Sequence, residues 1–250
     1  MRIGMTGAYV GRDETLDVLC EDKLQIIQKK NGYRFSIDPV LLANFITLKK
    51  HERLLDIGSG CGIIPIYLSK KGYMNEMLGI EIQKDLYDVS LRNKTINHCE
   101  NVNFMHGDIT AMVQPLKKLP FHVVISNPPY TKEQTGRKSP HHSRFVARYE
   151  TFLNLSDLIT VSSSLLHKWG RLYIIYPSRR LGELIGVARS GKLELKRLRP
   201  IYPREGEVAN LFLAEFIKEG GIGAKIEQPL YIYENSSYTD EIKAYYILHG

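Results

Sequence analysis

Short apolar runs alternate with amphipathic segments along the chain from residue 53 onward. The apolar runs predict strands at residues 53–57, 76–81, 101–105, 121–126 and 171–176. Helical spacing predicts helices at residues 63–71, 83–98, 151–169 and 180–190. Strands separated by helices are typical of a parallel sheet with both faces covered. Two later runs, 192–198 and 210–216, predict a closing hairpin that adds antiparallel strands at an edge.

The first 50 residues precede this pattern. The segment 32–45 has a helix start signal, with Asp38 predicted as the N-cap and Pro39 at the first helical position. This helix is either a cover for the core or a lid over whatever binds at the strand ends. We expect three regions: a lid or helical extension at 1–50, an α/β core at 51–217 and a C-terminal extension at 218–250 packed on the core.

A glycine-rich segment, D-I-G-S-G-C-G, follows the first strand at residues 56–62 and opens a helix. Gly58 and Gly60 allow a tight turn and a close approach of the backbone to a ligand. The helix behind them presents free N–H groups at its N-terminus. The spacing is G-x-G-x-G, which matches a dinucleotide pyrophosphate less well than G-x-G-x-x-G does. Alone, the segment is equally well explained as a plain tight turn.

Acidic residues stand at the ends of the next two strands. Glu81 closes the second strand, and Asp108 follows the third. In open α/β sheets ligands bind outside the carboxyl ends of the strands, where an acid takes ribose hydroxyls. We expect Asp108 to accept a hydrogen bond from an adenine amino group, with Ile82 and Ile109 flanking the base. The alternative for Glu81 is a solvated loop acid, but the combination with the glycine loop favours a nucleoside-containing ligand.

The fourth strand runs into N-P-P-Y at residues 127–130. Neither proline has a backbone N–H, so the turn is stiff and rich in hydrogen-bond acceptors. A strand-terminating turn with a packed tyrosine is the structural alternative. The preceding strand and the upstream glycine loop favour a catalytic turn.

In this order, D-I-G-S-G-C-G, G-I-E, G-D-I and N-P-P-Y resemble the class I S-adenosylmethionine-dependent methyltransferases, in the branch that methylates exocyclic or amide nitrogens. The resemblance covers residues 35–217. It implies a Rossmann-like α/β fold with a seven-stranded, mostly parallel sheet, an antiparallel edge and helices on both faces. The implied cofactor is S-adenosyl-L-methionine, with S-adenosyl-L-homocysteine as product and no metal. The implied cofactor contacts are Phe35, Asp38, Asp56, Gly58, Gly60, Glu81, Ile82, Asp108, Ile109 and Asn127. The implied catalytic residues are Asn127, Pro128, Pro129 and Tyr130.

The chemistry of amine methylation explains the proline turn. An adenine N6 amine is a poor nucleophile because its lone pair is delocalised into the ring. Two acceptors, the Asn127 side-chain oxygen and the Pro128 carbonyl, would localise that lone pair, and the prolines hold them rigidly. Tyr130 would stack on the substrate base. A base in RNA has to be unpaired or flipped out to reach such a pocket.

The proline turn does not identify the amine, and adenine N6, guanine N2, cytosine N4 and a protein glutamine amide all remain open. The glutamine methyltransferases of release factors carry a substantial helical domain before the core, whereas only about 50 residues precede it here. DNA adenine methyltransferases usually carry a large insert, whereas only a loop of about 20 residues follows Tyr130. Guanine-N2 enzymes of ribosomal RNA often duplicate the domain, and this chain shows no duplication.

The flanking segments favour one choice. Residues 14–45, 145–150 and 206–215 resemble the bacterial tRNA adenine-N6 methyltransferases. These enzymes act on the adenine immediately 3′ of the anticodon (position 37) of a valine tRNA. Pro39 is less typical of that pattern. The alternatives are a guanine-N2 RNA methyltransferase, a protein glutamine-N5 methyltransferase and a non-enzymatic RNA-binding protein on a relict methyltransferase fold.

Charge supports a polyanionic partner. The chain has 250 residues, a formal net charge of +7 and a pI of about 9.2. The loop after the proline turn is basic, so we expect phosphate contacts there, with a solvated surface loop as the alternative. The expected RNA contacts are Tyr33, Arg34, Tyr130, Lys132, Arg137, Lys138, Arg144 and Arg148.

The remaining composition indicates the compartment. Cys20, Cys61 and Cys99 are far apart and form no C-x-x-C pair, which is typical of a reduced cytosolic protein without a zinc cluster. No apolar run approaches transmembrane length, and the N-terminus lacks the apolar core of a signal peptide. We therefore expect a cytoplasmic protein with tRNA as partner, no membrane association, and a monomeric or weakly homodimeric state.

Overall fold

A mostly parallel sheet forms the centre of the structure, a computed structural model that describes residues 2–3, 9–30, 36–128 and 153–248. Its seven main strands are β5 (Leu54–Ile57), β6 (Met77–Glu81), β7 (Val102–His106), β8 (Phe121–Ser126), β9 (Leu166–Pro177), β10 (Leu193–Tyr202) and β11 (Leu211–Lys218). Their spatial order is β10-β11-β9-β8-β5-β6-β7. Strands β5 to β9 pair in parallel, and β11 runs antiparallel to both β9 and β10. The predicted Rossmann-like sheet and its closing hairpin are confirmed.

Helices cover both faces of this sheet. They are α1 (Asp38–Phe45), α2 (Ile63–Lys70), α3 (Lys84–Ile96), α4 (Ile109–Leu116), α5 (Leu155–Leu165), a 3-10 turn (Ser178–Arg180) and α6 (Leu181–Ser190). Successive residues of a strand point to opposite faces, and the core divides accordingly. Leu54 of β5 joins the apolar cluster under α1, α2 and α3, whereas Leu55 joins the cluster under α4, α5 and α6. Burial on both faces explains why these strands read as unbroken apolar runs.

Small elements flank the core at both ends. At the N-terminus, β1 (Arg2–Ile3) pairs with β2 (Tyr9–Val10), and β3 (Glu14–Leu19) forms an antiparallel hairpin with β4 (Leu24–Lys29). At the C-terminus, β12 (Lys225–Ile226) and β13 (Leu230–Tyr231) extend the sheet beside β10. A hairpin of β14 (Tyr233–Glu234) and β15 (Ser237–Tyr238) then leads into α7 (Asp240–Tyr245). The sequence pattern did not predict the β3–β4 hairpin.

The predicted N-cap at Asp38 is wrong. Helix α1 begins at Asp38 itself, and Ile37 is the N-cap, with φ −64° and ψ −21° and no side-chain cap. An N-cap side chain acts from extended backbone, which Ile37 does not have. Asp38 is buried in the first turn, where its charge still complements the helix dipole.

The predicted helix at 151–169 is too long at its C-terminal end. Within the described residues, α5 ends at Leu165 and the chain passes directly into β9. Leu166 pairs with Phe121 of β8, so strand pairing starts well before the apolar run at 171–176. The start of the helix is capped by Asn154, whose Oδ1 accepts a hydrogen bond from the Asp157 N–H at 2.9 Å.

An ion pair fastens the β3–β4 hairpin to α3. Glu14 is buried, and both of its oxygens accept hydrogen bonds from the Arg92 guanidinium at 2.7 Å. Lys29 adds a third contact to Glu14 at 3.1 Å. These partners, with the Arg92 hydrogen bond as the largest cause, lower the pKa of Glu14 from 4.5 to about 2. The hairpin is thus held on the core by charge as well as by apolar packing.

We expect Glu14→Gln to lower the free energy of unfolding by about 3 kcal/mol at pH 7, because Arg92 loses its buried partner. The pKa of Glu14 is depressed in the folded protein, so its contribution is complete above pH 4.5 and is lost as the pH falls from 4.5 toward 2. Urea unfolding at pH 7 and pH 3 measures both. The control is Asp13→Asn, an exposed partner of Lys29 that we expect to cost less than about 0.5 kcal/mol. Equal losses in the two variants would contradict the assignment.

Candidate functional site

The carboxyl ends of four parallel strands meet at one edge of the sheet. In space these strands follow the order β8-β5-β6-β7. Neighbouring strands of a sheet lie about 5 Å apart. Asn127 after β8, the glycine loop after β5, Glu81 at the end of β6 and Asp108 after β7 therefore stand in a row. The predicted cofactor and catalytic positions in the described residues converge mainly on this edge.

The glycine loop uses conformations that favour glycine. The φ angles of Gly58, Gly60 and Gly62 are +75°, +56° and +82°, all left-handed. A Cβ built on Gly62 would lie 2.5 Å from the ring of Phe104, so packing excludes a side chain there. Among the described residues, no atom lies within 4 Å of a Cβ built on Gly60. The space beside Gly60 in this part of the chain would let a ligand come close to the backbone.

Glu81 braces the glycine loop. The carboxylate is buried, and its Oε2 accepts a hydrogen bond from the Gly60 N–H at 2.8 Å. Its Oε1 accepts one from the Gln83 N–H at 2.8 Å. Burial is the largest cause of a raised pKa for this carboxyl. Glu81 is thus a buried acid joined to the loop rather than a solvated one, and its predicted contact with ribose stays a prediction.

Asp56, at the start of the same loop, is buried. Its side chain is 1% exposed, and neither carboxylate oxygen has a hydrogen-bond partner among the described residues. Burial, and then the nearby charge of Glu81, raise the pKa of Asp56 from 3.8 to about 8. Buried polar groups nearly always have a hydrogen-bond partner. A buried carboxylate without one, at the end of a strand, is therefore typical of a ligand-binding site.

A small cleft opens beside the loop. Four predicted cofactor residues line it: Gly58, Ile82, Asp108 and Ile109. The remaining lining residues are Ile57, Ile80, Gly107 and Leu153. The isoleucines make the walls apolar, which suits a flat aromatic base.

Asp108 also has a structural role. It is the N-cap of α4, and its Oδ1 accepts hydrogen bonds from the Thr110 N–H at 2.8 Å and the Thr110 hydroxyl at 2.7 Å. The cap fixes the orientation of the carboxylate at the rim of the cleft. Its predicted role toward an adenine amino group stays a prediction.

The predicted catalytic turn follows directly from β8. Ser126, the last residue of the strand, is buried and donates its hydroxyl to the Ile57 carbonyl at 2.9 Å. This bond ties the end of β8 to the end of β5. Asn127 comes next and is half-buried. Pro128 lines a second, open cleft of about 340 Å³, and Leu153 lines both clefts, so the two adjoin.

Some predicted site residues lie outside the described residues. They are Tyr33, Arg34, Phe35, Pro129, Tyr130, Lys132, Arg137, Lys138, Arg144 and Arg148. Asp38 is described and lies in α1, which packs on α2 beyond the glycine loop. Sequence reasoning missed Ser126 and Leu153. Ser126 could have been found, because it is a polar residue that ends an apolar strand next to Asn127. Nothing in the local sequence pattern indicated Leu153.

The basic segment 192–204 is largely tied into the fold. Arg197 pairs with Glu215 at 3.2 Å and with Glu227 at 3.0 Å, and Arg199 pairs with Glu241 at 2.7 Å. These arginines fasten the C-terminal extension to β10. In the part of the chain that the structure describes, the helices are all too short or too polar to span a bilayer.

Comparison with known proteins places these features in a family. The family model of the methyltransferase small domain matches residues 37–181, which is more than half of the chain. A tRNA1(Val) (adenine(37)-N6)-methyltransferase of Tolumonas auensis is 26% identical over 195 residues, covering 76% of this chain and 79% of the relative. The enzyme of the same name from Porphyromonas gingivalis is 29% identical over 191 residues, 73% of each chain.

Solved structures share the fold. A predicted O-methyltransferase from Agrobacterium tumefaciens superposes with a TM-score of 0.67 at 22% identity, covering 85% of this chain and 98% of that one. A SAM-dependent methyltransferase from Aquifex aeolicus superposes with a TM-score of 0.52 at 14% identity, covering 72% and 89%. At such identities the likeness concerns the fold.

The residues at the strand ends fit S-adenosyl-L-methionine. The orphan carboxylate of Asp56 suits the ammonium group of its methionine part, and the open space at Gly60 admits that part close to the backbone. The apolar side chains that line the small cleft beside Asp108 suit contact with a face of its adenine. When bound, this cofactor supplies an electrophilic methyl group. The chain belongs to the methyltransferase small domain family, and its methyl donor is S-adenosyl-L-methionine.

Proposed function

We propose that the chain methylates the N6 amine of an adenine in tRNA, and that the target is the adenine 3′ of the anticodon, position 37, of a valine tRNA. The observation that carries the proposal is the Asn127–Pro128 turn, which leaves β8 beside the glycine loop of β5. The names of the relatives at 26% and 29% identity support this choice of tRNA.

The turn supports an amine as acceptor of the methyl group. Asn127 contributes a side-chain oxygen and Pro128 a backbone carbonyl. Both accept hydrogen bonds, so together they suit the two N–H groups of an exocyclic amine. Ser126 supports the geometry, because its bond to the Ile57 carbonyl holds the turn beside the cofactor cleft. Fixed acceptors of this kind stabilise the charge that develops on nitrogen during transfer, without a strong base.

The broader architecture supports an RNA substrate. The second cleft beside Pro128 is open, which suits a base entering from a large molecule. The net charge of +7 favours a polyanion. We propose that Tyr130 stacks on the entering base and that the basic residues of the following loop, with Tyr33 and Arg34, contact phosphates. We further propose that residues 51–217 form the catalytic core, flanked by extensions at 1–50 and 218–250.

The test is methyl transfer from labelled S-adenosylmethionine to an unmodified valine tRNA transcript, followed by nucleoside digestion and mass spectrometry. We expect N6-methyladenosine in the transcript with adenine at position 37 and none in a matched transcript with guanine there. N6-methyladenosine in both would move the site to another adenine. The absence of labelled nucleoside from any tRNA, with the cofactor bound, would overturn the proposal.

The same assay separates the alternatives. N2-methylguanosine would indicate a guanine-N2 RNA methyltransferase that keeps the same turn chemistry. Label in protein rather than RNA would indicate a glutamine methyltransferase. A chain that binds RNA but neither cofactor nor methyl label would be an RNA-binding protein on a relict fold.

A further inference from the structure

The side chain of Asn93 joins two segments that are far apart in sequence. Asn93 lies in α3 and is completely buried. Its Oδ1 accepts a hydrogen bond from the Ile27 N–H at 2.7 Å. Its Nδ2 donates to the Ile27 carbonyl at 3.0 Å and to the Cys61 carbonyl at 2.9 Å. A primary amide has two N–H donors, so one side chain bridges the N-terminal hairpin and the glycine loop.

At Ile27 the side-chain amide of Asn93 makes the hydrogen bonds that a neighbouring strand would otherwise make. Strand β4 pairs with β3 along one edge, and Ile27 turns both of its backbone groups toward α3 on the other. Asn93 satisfies both groups, as a strand partner would. The hairpin is therefore fixed on α3 at this point, and Glu14 with Arg92 holds it at another.

At Cys61 the amide holds the carbonyl between two left-handed glycines, Gly60 and Gly62. The N–H groups earlier in the loop are anchored at the end of β6. Those bonds run from Gly58 and Ser59 to the Ile80 carbonyl, at 2.9 and 3.1 Å, and from Gly60 to Glu81 at 2.8 Å. Asn93 thus supplies an anchor from α3, on the side of the loop that leads into α2.

We infer that Asn93 is a positioning residue of the cofactor site, which holds the glycine loop in its binding conformation by tying Cys61 to the N-terminal hairpin. Glycines populate many backbone states, so a loop rich in them is competent to bind only when its peptides are anchored. The hairpin is then a fixed part of the cofactor site rather than a moving cover. This inference concerns cofactor binding and does not depend on which amine is methylated.

The chain contains a matched control in Asn97, one helical turn later and also buried. Its Oδ1 accepts from the Gln25 N–H at 3.0 Å, and its Nδ2 donates to the Gln25 carbonyl at 2.6 Å. Its remaining bond, at 2.8 Å, goes to the Asn93 carbonyl of its own helix. Asn97 therefore makes the same kind of contact with β4 as Asn93 does, but within the described residues its side chain forms no hydrogen bond to the glycine loop.

The experiment compares Asn93→Ala with Asn97→Ala in the full chain, using calorimetric titration with S-adenosylhomocysteine and steady-state kinetics. Each change removes an amide side chain that hydrogen-bonds to the backbone of the hairpin. We therefore expect similar decreases in the midpoint of urea unfolding. We expect Asn93→Ala to raise the dissociation constant about tenfold or more and Asn97→Ala less than about twofold. The KM for the methyl donor should rise in Asn93→Ala, with kcat at saturating donor little changed. A purely structural role would lower the active fraction and leave KM unchanged.

Hydrogen exchange on the unmodified protein gives a second measurement. It can be made even if the variants do not fold. Binding of S-adenosylhomocysteine should slow exchange of the Ile27 amide as well as that of the glycine loop, because Asn93 links them. Asn93→Ser, which leaves a smaller cavity, serves if the alanine variant does not fold. Equal dissociation constants in the Asn93 and Asn97 variants, or an Ile27 amide that does not respond to ligand, would overturn the inference.

Discussion

Replacing Asn127 by alanine is expected to lower kcat by about 10³-fold, or roughly 4 kcal/mol of transition-state stabilisation. In the proposed mechanism the side-chain oxygen of Asn127 is one of two acceptors for the reacting amine, and the other, the Pro128 carbonyl, remains in the variant. Cofactor affinity should fall much less than kcat, because Asn127 is only one of the expected cofactor contacts and the glycine loop, Glu81 and the cleft beside Asp108 are untouched. Single-turnover rates and calorimetric titration with S-adenosylhomocysteine measure the two effects separately.

Asn127→Asp is the matched variant. It keeps an acceptor oxygen in nearly the same place, replaces the N–H donors by a second acceptor oxygen and adds a negative charge. If Asn127 acts as an acceptor, the aspartate variant should be far more active than the alanine variant. Near-normal turnover in Asn127→Ala, or equal losses in both variants, would remove the proposed role from this residue.

Replacing Asp56 by asparagine is expected to weaken cofactor binding about 100-fold and to stabilise the free protein at the same time. A carboxylate facing a buried cationic group contributes strongly to affinity, and truncating such a pair costs roughly 2–5 kcal/mol. In the free protein, however, Asp56 is buried without a partner among the described residues. Asparagine removes the cost of placing an ionisable acid there, which we expect to be worth about 2 kcal/mol at pH 7.

The sign of the pH dependence follows from the raised pKa. Asp56 titrates at about 8 in the folded protein against an ordinary value of 3.8. Between those pH values the folded state holds a proton that the unfolded state has lost, so rising pH destabilises the fold. The unmodified protein should therefore lose stability from pH 4 to 8 more steeply than Asp56→Asn does. Urea unfolding at pH 5 and pH 8 tests this, and parallel pH profiles would contradict the assignment.

These two residues illustrate how stability and function compete at the strand ends. Asn127 is half-buried, whereas Asp56 is buried with both carboxylate oxygens unpaired among the described residues, a cost to folding that the proposed contact with the cofactor would offset. Functional sites are the places where buried polar groups are expected to lack hydrogen-bond partners within the protein. The orphan acid is thus evidence of function in its own right.

Sequence patterns were sufficient to predict the central sheet and the order of the predicted site residues along its edge. Apolar runs at the strand positions, glycines at 58 and 60 and acids at 81 and 108 are local features, and burial on both faces makes such strands unmistakable. Strand direction then follows from the alternation with helices, and the carboxyl ends meet without further information. The convergence of Gly58, Ile82, Asp108 and Ile109 on one cleft was predictable for that reason.

Only the tertiary structure decided which polar groups became partners. The β3–β4 hairpin depends on Arg92 and Asn93, and the bond from Ile27 to Asn93 spans 66 residues. The early end of α5 depends on the pairing of Leu166 with β8. Hydrophobic periodicity indicates that a side chain is buried but does not identify its contacts. A hydrogen bond requires two atoms to lie close together, and local sequence does not encode that distance when the two residues are far apart along the chain. The elements and the position of the site follow from sequence, whereas the anchoring of the glycine loop follows from the fold.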